Sequence, residues 1–567
     1  MIKRASQYAN RYYPIFVLVL ILRNITIATF GMLWGFKKEG FQANPWTGKI
    51  LSDHDIPIAY KSDHPVLNAQ HLLYEAQIGH HYGLKESLAI ASLTSVPAKA
   101  IGMDHRIGYV RVGYDADVVI WDAYPLSLGA VPVQVFIDGV ELFDEKIAER
   151  KLETEFNPAE GIPRQREWDE TEAMNMDGPK IELEKKDFVA TGIKKAYIRG
   201  EDGLESLSAT GESLTMVVRN GSITCLSSSC ESEMHSANID GVPIRHFNNG
   251  YILPGLTLLS PSHGLAEIVS ERTTLDGLVD SSKDPKDTKS VIYAKDGLTF
   301  GGKHLERAHA AGILNLVTAP LSNGFSQGVS VAFKSGGDSV LQKGAVIKEN
   351  VALHFQISHD SNGGSTPTIS SQLATLKQIL LDSVNDTDSI YGRAANGQIP
   401  LAITAQNKDI IAHLLDLKAS ISKTAPINLV LIGGIEAYLL ADEIAAAKVP
   451  VILAPWRCQP ESWEIRNCLP GPPLSEKTSF QILLEAGVDV ALAAWDDGLI
   501  VGMYWEASWA ARGTELTEKD VVKLISTDVE RILGIEFEDS KAGYGGGHVL
   551  FEGNPLDFGA NVAAIIP

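Results

Sequence analysis

Between Gly312 and Ala494 the sequence alternates short apolar runs with longer amphipathic stretches, and this rhythm restricts the fold more than any other feature. Gly312–Ala319, Ala352–Ile357, Leu401–Ala405, Leu429–Ile432, Val449–Ala454 and Val488–Ala494 read as strands, and Ser370–Leu381, Asp409–Leu417, Ala437–Ala447 and Ser479–Ala486 as helices. A strand that returns only after a helix pairs in parallel with its predecessor. So many units in succession predict an α/β fold closed as a (β/α)8, TIM-like barrel, placed at residues 256–539. Segments flanking it, 188–255 and 540–567, predict a small β-sandwich. There Ala196–Arg199, Thr215–Arg219 and Ser222–Cys225 read as antiparallel strands around an Asn220-Gly221 turn.

The chain also repeats itself. Residues 55–67 can be laid over 487–500 and residues 118–130 over 549–560, in the same order, which predicts a duplication. Residues 45–144 then form the end of a first copy, with helices at Asn68–Tyr82 and Leu88–Ala100 and strands at Val118–Trp121 and Val133–Ile137. Residues 145–187 are charged and poor in apolar residues, as a linker is. Ahead of these, residues 1–44 contain a hydrophobic run from Pro14 to Phe36, long enough to span a bilayer but with Arg23 near its centre. A signal anchor, a buried segment and a non-native start are the three readings of it. A secretory or membrane-anchored location and a cytoplasmic one therefore both stay open.

A net charge of -21 speaks against a basic surface for nucleic acid, which needs clustered Lys and Arg. Four cysteines form two local pairs, Cys225 with Cys230 and Cys458 with Cys468, open to reading as buried thiols or as disulfides. Neither spacing is that of a zinc knuckle. Asn220-Gly221-Ser222 and Asn385-Asp386-Thr387 are glycosylation sequons, and Gly301-Gly302-Lys303 lacks the rest of a phosphate loop.

Ser62-Asp63-His64-Pro65 after an apolar strand, then Gly113-Tyr114-Asp115-Ala116-Asp117 leading into Val118–Asp122, together with Pro254-Gly255-Leu256, resemble the amidohydrolase superfamily. The nearest likeness is to fungal amidohydrolase-related proteins of the carbohydrate esterase family 9 type, near imidazolonepropionase and N-acetylglucosamine-6-phosphate deacetylase, with this chain as an N-terminally truncated tandem copy. The resemblance implies a divalent metal, commonly zinc, that activates a water at the C-terminal mouth of the barrel. It also implies the ligands: His-x-His after strand one, histidines ending strands five and six, and an Asp ending strand eight that doubles as general base.

Matched place by place, this chain offers Ser260 and Ser262 for the His-x-His, with His263 one residue late on a strand edge that would face elsewhere. Gln406 takes the strand-five place and Gly433 the strand-six place, while Trp495 stands where the strand-eight Asp belongs and Asp496 follows it. Only Asp63, in the first copy, keeps the residue type of a metal ligand and general base; its plainer reading is a relic or a helix cap. His54, His64, His80 and His81 read as surface or helix-face residues.

Two functions follow. One is a metal-dependent hydrolase of carbon–nitrogen bonds other than peptide bonds, acting on a small amide or amino sugar, with its metal site impaired or lost in this chain. The other is a catalytically inactive barrel, needing no cofactor, that binds a small ligand or a protein around Gln406, Trp495, Asp496 and Asp497.

Overall fold

The computed structural model describes residues 25–33, 37–38, 40–41, 43–143, 163–166, 187–200, 203–208, 213–537 and 546–566. Most of the hydrophobic run and nearly all of the charged linker lie outside them. The chain divides into two compact units: Met1–Met176 with Pro470–Glu476 and Asp557–Ala560, and the remainder.

In the first unit, β1 (Ile27–Thr29) pairs in parallel with β2 (Ile58–Tyr60). The described part of the Pro14–Phe36 run therefore holds a strand where a spanning helix was one expectation, and no described helix is long and apolar enough to cross a membrane. Helices α1 (Thr47–Asp53), α2 (Leu72–His81), α3 (Glu86–Ala91) and α4 (Ser95–Ala100) follow. The expected helix Leu88–Ala100 is thus two short helices. Pro97 has no N–H to give the carbonyl four residues earlier, so the chain turns at Thr94 and starts again with Pro97 in a first turn, where the loss is harmless. Ile58, Tyr60, Ala76, Leu84, Ala89 and Leu126 form the core. Strands β3 (Val118–Trp121), β4 (Pro132–Ile137) and β5 (Val140–Glu141) close the unit as an antiparallel sheet.

The second unit opens with β6 (Phe188–Gly200), β7 (Gly203–Ser208), β8 (Leu214–Arg219) and β9 (Ser222–Ser227), then α5 (Glu231–Ile239) and β10 (Ile244–Pro254). With β21 (His548–Glu552) and β22 (Asn561–Ile566) they make one continuously hydrogen-bonded seven-stranded sheet from the two flanking segments that were expected to form a β-sandwich. The cause is the length of β6 and β10. Each is bulged, β6 around Gly192 at φ +82°, so one long strand bends and carries several ladders. Both cysteine pairs are disulfide-bonded.

Between β10 and β21 lies the α/β body. Strand β11 (Leu256–Ser260) leads through α6 (Lys303–Ala310) to the parallel β12 (Ile313–Thr318). An antiparallel insertion follows, β13 (Ser326–Val329), β14 (Val331–Lys334) and β15 (Val346–Lys348), that the sequence rhythm did not foretell. Five parallel strands complete it: β16 (Leu353–Gln356), β17 (Leu401–Ala405), β18 (Leu429–Gly433), β19 (Val451–Leu453) and β20 (Val490–Leu492). The helices are α7 (Ile369–Ser383), α8 (Ile390–Ala395), α9 (Lys408–Ile421), α10 (Ala441–Ala446), α11 (Ser479–Glu485), α12 (Met503–Ala511), α13 (Glu518–Leu524) and α14 (Thr527–Leu533). Local chemistry starts several of them. Reciprocal capping boxes sit at Thr368/Ser371, Thr478/Gln481 and Thr517/Asp520, where the hydroxyl and the third residue satisfy each other's orphan N–H.

The strands form two ladders, β11-β12-β14-β15 and β13-β16-β17-β18-β19-β20, with no ladder joining β20 to β11 among the described residues. Their inward side chains nevertheless meet. Leu259, Val317, Ala402, Val430, Ile452 and Ala491 share one core with Val529, Ile532 and Leu533 of α14. The body is a TIM-barrel-like α/β fold.

The two stretches that align in sequence also carry the same elements. Strand β2 lies over β20 and β3 over β21, with Gly129 (φ +72°) and Gly559 (φ +91°) ending equivalent turns, and just beyond the aligned stretches β4 and β22 each pair antiparallel with the strand before.

Candidate functional site

Strand β11 ends at Ser260, and the following Pro261 cannot extend its ladder; Gly264, at φ +81°, then turns the chain back. Past a strand end the two-residue alternation no longer governs direction. His263 accordingly folds under the strand, its backbone N–H donating to Ser260 Oγ at 3.1 Å, and enters the site it was expected to face away from.

After β20 the chain forms a tight 3-10 turn, Asp497–Gly502, capped by Asp496, whose Oδ1 accepts from Gly498 N at 2.8 Å. Capping directs Asp496 onto its own turn and leaves the next residue to reach β11. Asp497 Oδ1 accepts from His263 Nδ1 at 2.8 Å, Ser262 N at 3.1 Å and Ser260 Oγ at 3.2 Å, and its Oδ2 accepts from Ser262 Oγ. Asp497 is therefore the carboxylate that meets the end of β11, beside Asp496 on its cap, and Trp495 is half-buried at the strand end. Two adjacent aspartates after strand eight were the available signal. Which of them turns inward depends on the cap.

The two carboxyls are driven apart. Burial, reinforced by the charge of Asp497, raises Asp496 from 3.8 to about 6. Burial also opposes ionisation of Asp497, but His263 and the Ser262 hydroxyl outweigh it and bring that group down to about 2. A raised acid stabilises the fold fully below its unfolded value of 3.8, and that contribution is lost as pH rises through about 6. Asp496→Asn keeps a capping oxygen and removes the titration. Relative to that variant, the wild-type protein is expected to lose about 3 kcal/mol of unfolding free energy between acid and neutral pH. Urea denaturation of both proteins across this range measures it; parallel pH profiles would show that Asp496 titrates as an ordinary carboxyl.

At the ends of the next strands the two remaining places are filled together. Gln406, following β17, donates from Nε2 to Ala454 O at 3.2 Å and accepts at Oε1 from Ile435 N at 2.9 Å. Gly433, at φ +91°, closes β18, and a Cβ there would lie 2.5 Å from Gln406 Nε2. One amide pinned to backbone thus occupies the space where two imidazoles were expected. Nearby, Glu267 Oε1 accepts from Lys303 N at 2.6 Å, so the start of α6, the Gly301-Gly302-Lys303 fragment, is occupied by the chain's own carboxylate.

This donor set does not fit a catalytic zinc. Such a site needs three strong N, O or S ligands around one point. Ser260, Ser262, Gln406, Gly433 and Trp495 offer hydroxyls, an amide or nothing, and among the described residues no three His, Cys, Asp or Glu side chains could hold a metal ion. Nor is the cluster a nucleophile system. Asp497 holds Nδ1 of His263 as the acid of a hydrolase triad does, but both serines lie on the Asp side, and His263 Nε2 is buried without a partner.

In the first unit, Asp63 follows β2 at φ +54° with an exposed side chain 3.1 Å from Lys61 Nζ. His64 Nδ1 accepts from Ala69 N at 3.4 Å. His80 and His81, read as surface or helix-face residues, lie in the last turn of α2 and are buried. His80 is satisfied by Leu84 O at 3.0 Å and Pro163 O at 3.1 Å, a distant partner that helix periodicity could not announce.

Residues 51–147 match the amidohydrolase family. Over 564 aligned positions the chain is 31% identical to amidohydrolase tasK of Hapsidospora irregularis, covering 91% of this chain and 56% of that protein. It thus spans little more than half the length of that relative. An amidohydrolase from Thermotoga maritima MSB8, solved by crystallography, superposes with a TM-score of 0.54 at 17% identity, covering 67% of this chain and 99% of that one. At that identity the likeness bears on the fold.

Proposed function

We infer, from the relation of this chain to the amidohydrolase superfamily, that it derives from a hydrolase of carbon–nitrogen bonds other than peptide bonds, and that its barrel-like body has exchanged the metal site for a hydrogen-bonded cluster. In this reading the body of residues 256–539 receives a small amide or amino sugar at its mouth without hydrolysing it. A single observation carries the reading: the carboxylate of Asp497, at the ends of β11 and β20, has both oxygens engaged by Ser260, Ser262 and His263. A metal there would have to displace those donors and would find no imidazole at positions 260, 262, 406 or 433 in exchange. The matching elements of β2 to β4 and β20 to β22 support a duplication, with Asp63 as the first copy's strand-eight residue. The two disulfides support an oxidising compartment.

Metal analysis of the whole purified chain, after equilibration with zinc and gel filtration, is expected to give far less than one zinc per chain. Stoichiometric zinc that disappears in Asp497→Asn would overturn the reading and restore metal-dependent hydrolysis to this mouth.

A further inference from the structure

Strands β8 and β9 are joined by the two residues Asn220-Gly221, at φ +51° and +76°, the backbone of a tight hairpin turn that Asn and Gly tolerate. The turn is fixed through the main chain: Arg219 faces Ser222 in the ladder, and Asn220 N donates to Asp187 Oδ1 at 2.6 Å. Its side chains are left to solvent. Asn220 and Ser222 are both exposed, and neither the Asn220 amide nor the Ser222 hydroxyl has a hydrogen-bond partner among the described residues.

The same disposition recurs in the loop 384–389 between α7 and α8. Asp386 N donates to Ser383 O at 2.9 Å and Ser389 N to Asp386 O at 3.2 Å, so the backbone is held while Asn385, Asp386 and Thr387 are exposed. The side chains of Asn385 and Thr387 likewise make no hydrogen bond with a described residue. By contrast Asn396 and Asn407, outside any sequon, spend their amides on Val384 O and Glu464 O. Asn220-Gly221-Ser222 and Asn385-Asp386-Thr387 thus present the two groups that oligosaccharyl transfer needs, a free carboxamide nitrogen and a free hydroxyl two residues on. A third sequon, Asn24-Ile25-Thr26, has its acceptor outside the described residues. An independent mark of the compartment where that transfer occurs lies on the same strand. Strand β9 begins at Ser222 and carries Cys225, disulfide-bonded to Cys230.

We propose that Asn220 and Asn385 each carry an N-linked oligosaccharide, an inference that rests on the oxidising compartment read from the disulfides and not on what the mouth binds. In that step the carboxamide nitrogen bonds to the anomeric carbon of a sugar held on a polyprenyl diphosphate. The bond from that carbon to the diphosphate oxygen breaks, the diphosphate leaves with the electron pair, and the amide gives up one proton. Nothing is oxidised or reduced. At Asn220 the sugar stands beside β9, the last strand of its sheet, whose outer N–H and C=O groups have no strand partner among the described residues. Such an edge invites pairing with another chain, and a bulky hydrated group at its end obstructs that pairing.

The test is the full chain made by a eukaryotic host, with its thiols counted and its glycans released by an N-glycanase in heavy-oxygen water, so that each glycosylated Asn becomes a labelled Asp. Peptide mass spectrometry is expected to find label at both Asn220 and Asn385. Ser222→Ala is expected to abolish it at Asn220 alone and Thr387→Ala at Asn385 alone. Both substitutions spare the turns, whereas Asn220→Gln would set a longer side chain at φ +51°. Label missing from either asparagine of a chain with both disulfides formed overturns the proposal and leaves the compartment standing. Free thiols with neither asparagine labelled overturn both.

Discussion

Truncating Glu530 to alanine is expected to lower the unfolding free energy by about 3–5 kcal/mol, the range for breaking a buried ion pair from one side. The side chains of Arg199 and Glu530 are only 5% and 9% exposed. The guanidinium binds the carboxylate twice, Nε to Oε2 at 3.1 Å and the second terminal nitrogen to Oε1 at 2.7 Å, while Thr257 adds a hydroxyl. Arg199 also donates to Gly255 O at 2.8 Å and to Gly547 O at 3.3 Å. It therefore fastens β6 to the start of β11 and to the return into β21. In Glu530→Ala the guanidinium keeps those carbonyls but loses two charge-assisted hydrogen bonds away from water, and Thr257 loses its acceptor. Replacing both partners with apolar residues of similar size, Arg199→Met with Glu530→Leu, is expected to cost much less than the sum of the single substitutions, because no charge is then stranded. Urea denaturation of the wild-type protein, both single variants and the double variant supplies the cycle. A cost for Glu530→Ala within the range of an exposed pair, under about 1 kcal/mol, would show that water reaches the site.

That pair illustrates what the sequence conceals, for its partners are 331 residues apart and neither sits in a local pattern. The parallel strands were legible because each is a short apolar run bounded by turn residues. Leu401–Ala405 is found as read, and Leu429–Ile432 to within one residue. The antiparallel insertion β13 to β15 was not, since 320–350 mixes Gly, Ser and Lys without a sustained alternation. At the site, the residue types at 260, 262, 406 and 433 could be read off by matching, and they already argued against a metal. Their mutual fit could not. That Gln406 fills the space beside Gly433 depends on a contact between two strands, and that His263 turns inward depends on the chain leaving its strand at Pro261. Residue type thus announced which side chains these positions lack, and only tertiary geometry shows which contacts stand there.

Asp497 is where those contacts can be measured. Asp497→Ala is expected to destabilise the chain by about 3–5 kcal/mol, because it strands a buried histidine and leaves the Ser260 and Ser262 groups without their acceptor. Asp497→Asn keeps the shape but turns an N–H₂ toward donors on one side, for an expected cost of about 2 kcal/mol. The pH dependence identifies the cause. A carboxyl lowered from 3.8 to about 2 contributes stability that is complete above its unfolded value and is lost as pH falls through its folded one. The gap between wild type and Asp497→Asn should therefore hold from neutrality down to the unfolded value and shrink below it, the opposite of the slope expected for Asp496. A metal-ligand role makes a different prediction for the same proteins: zinc would raise the unfolding midpoint of the wild type and leave that of Asp497→Asn unchanged. If the aspartate is instead held by the serines and histidine that surround it, zinc leaves both midpoints in place, and the whole difference between the two proteins disappears in acid.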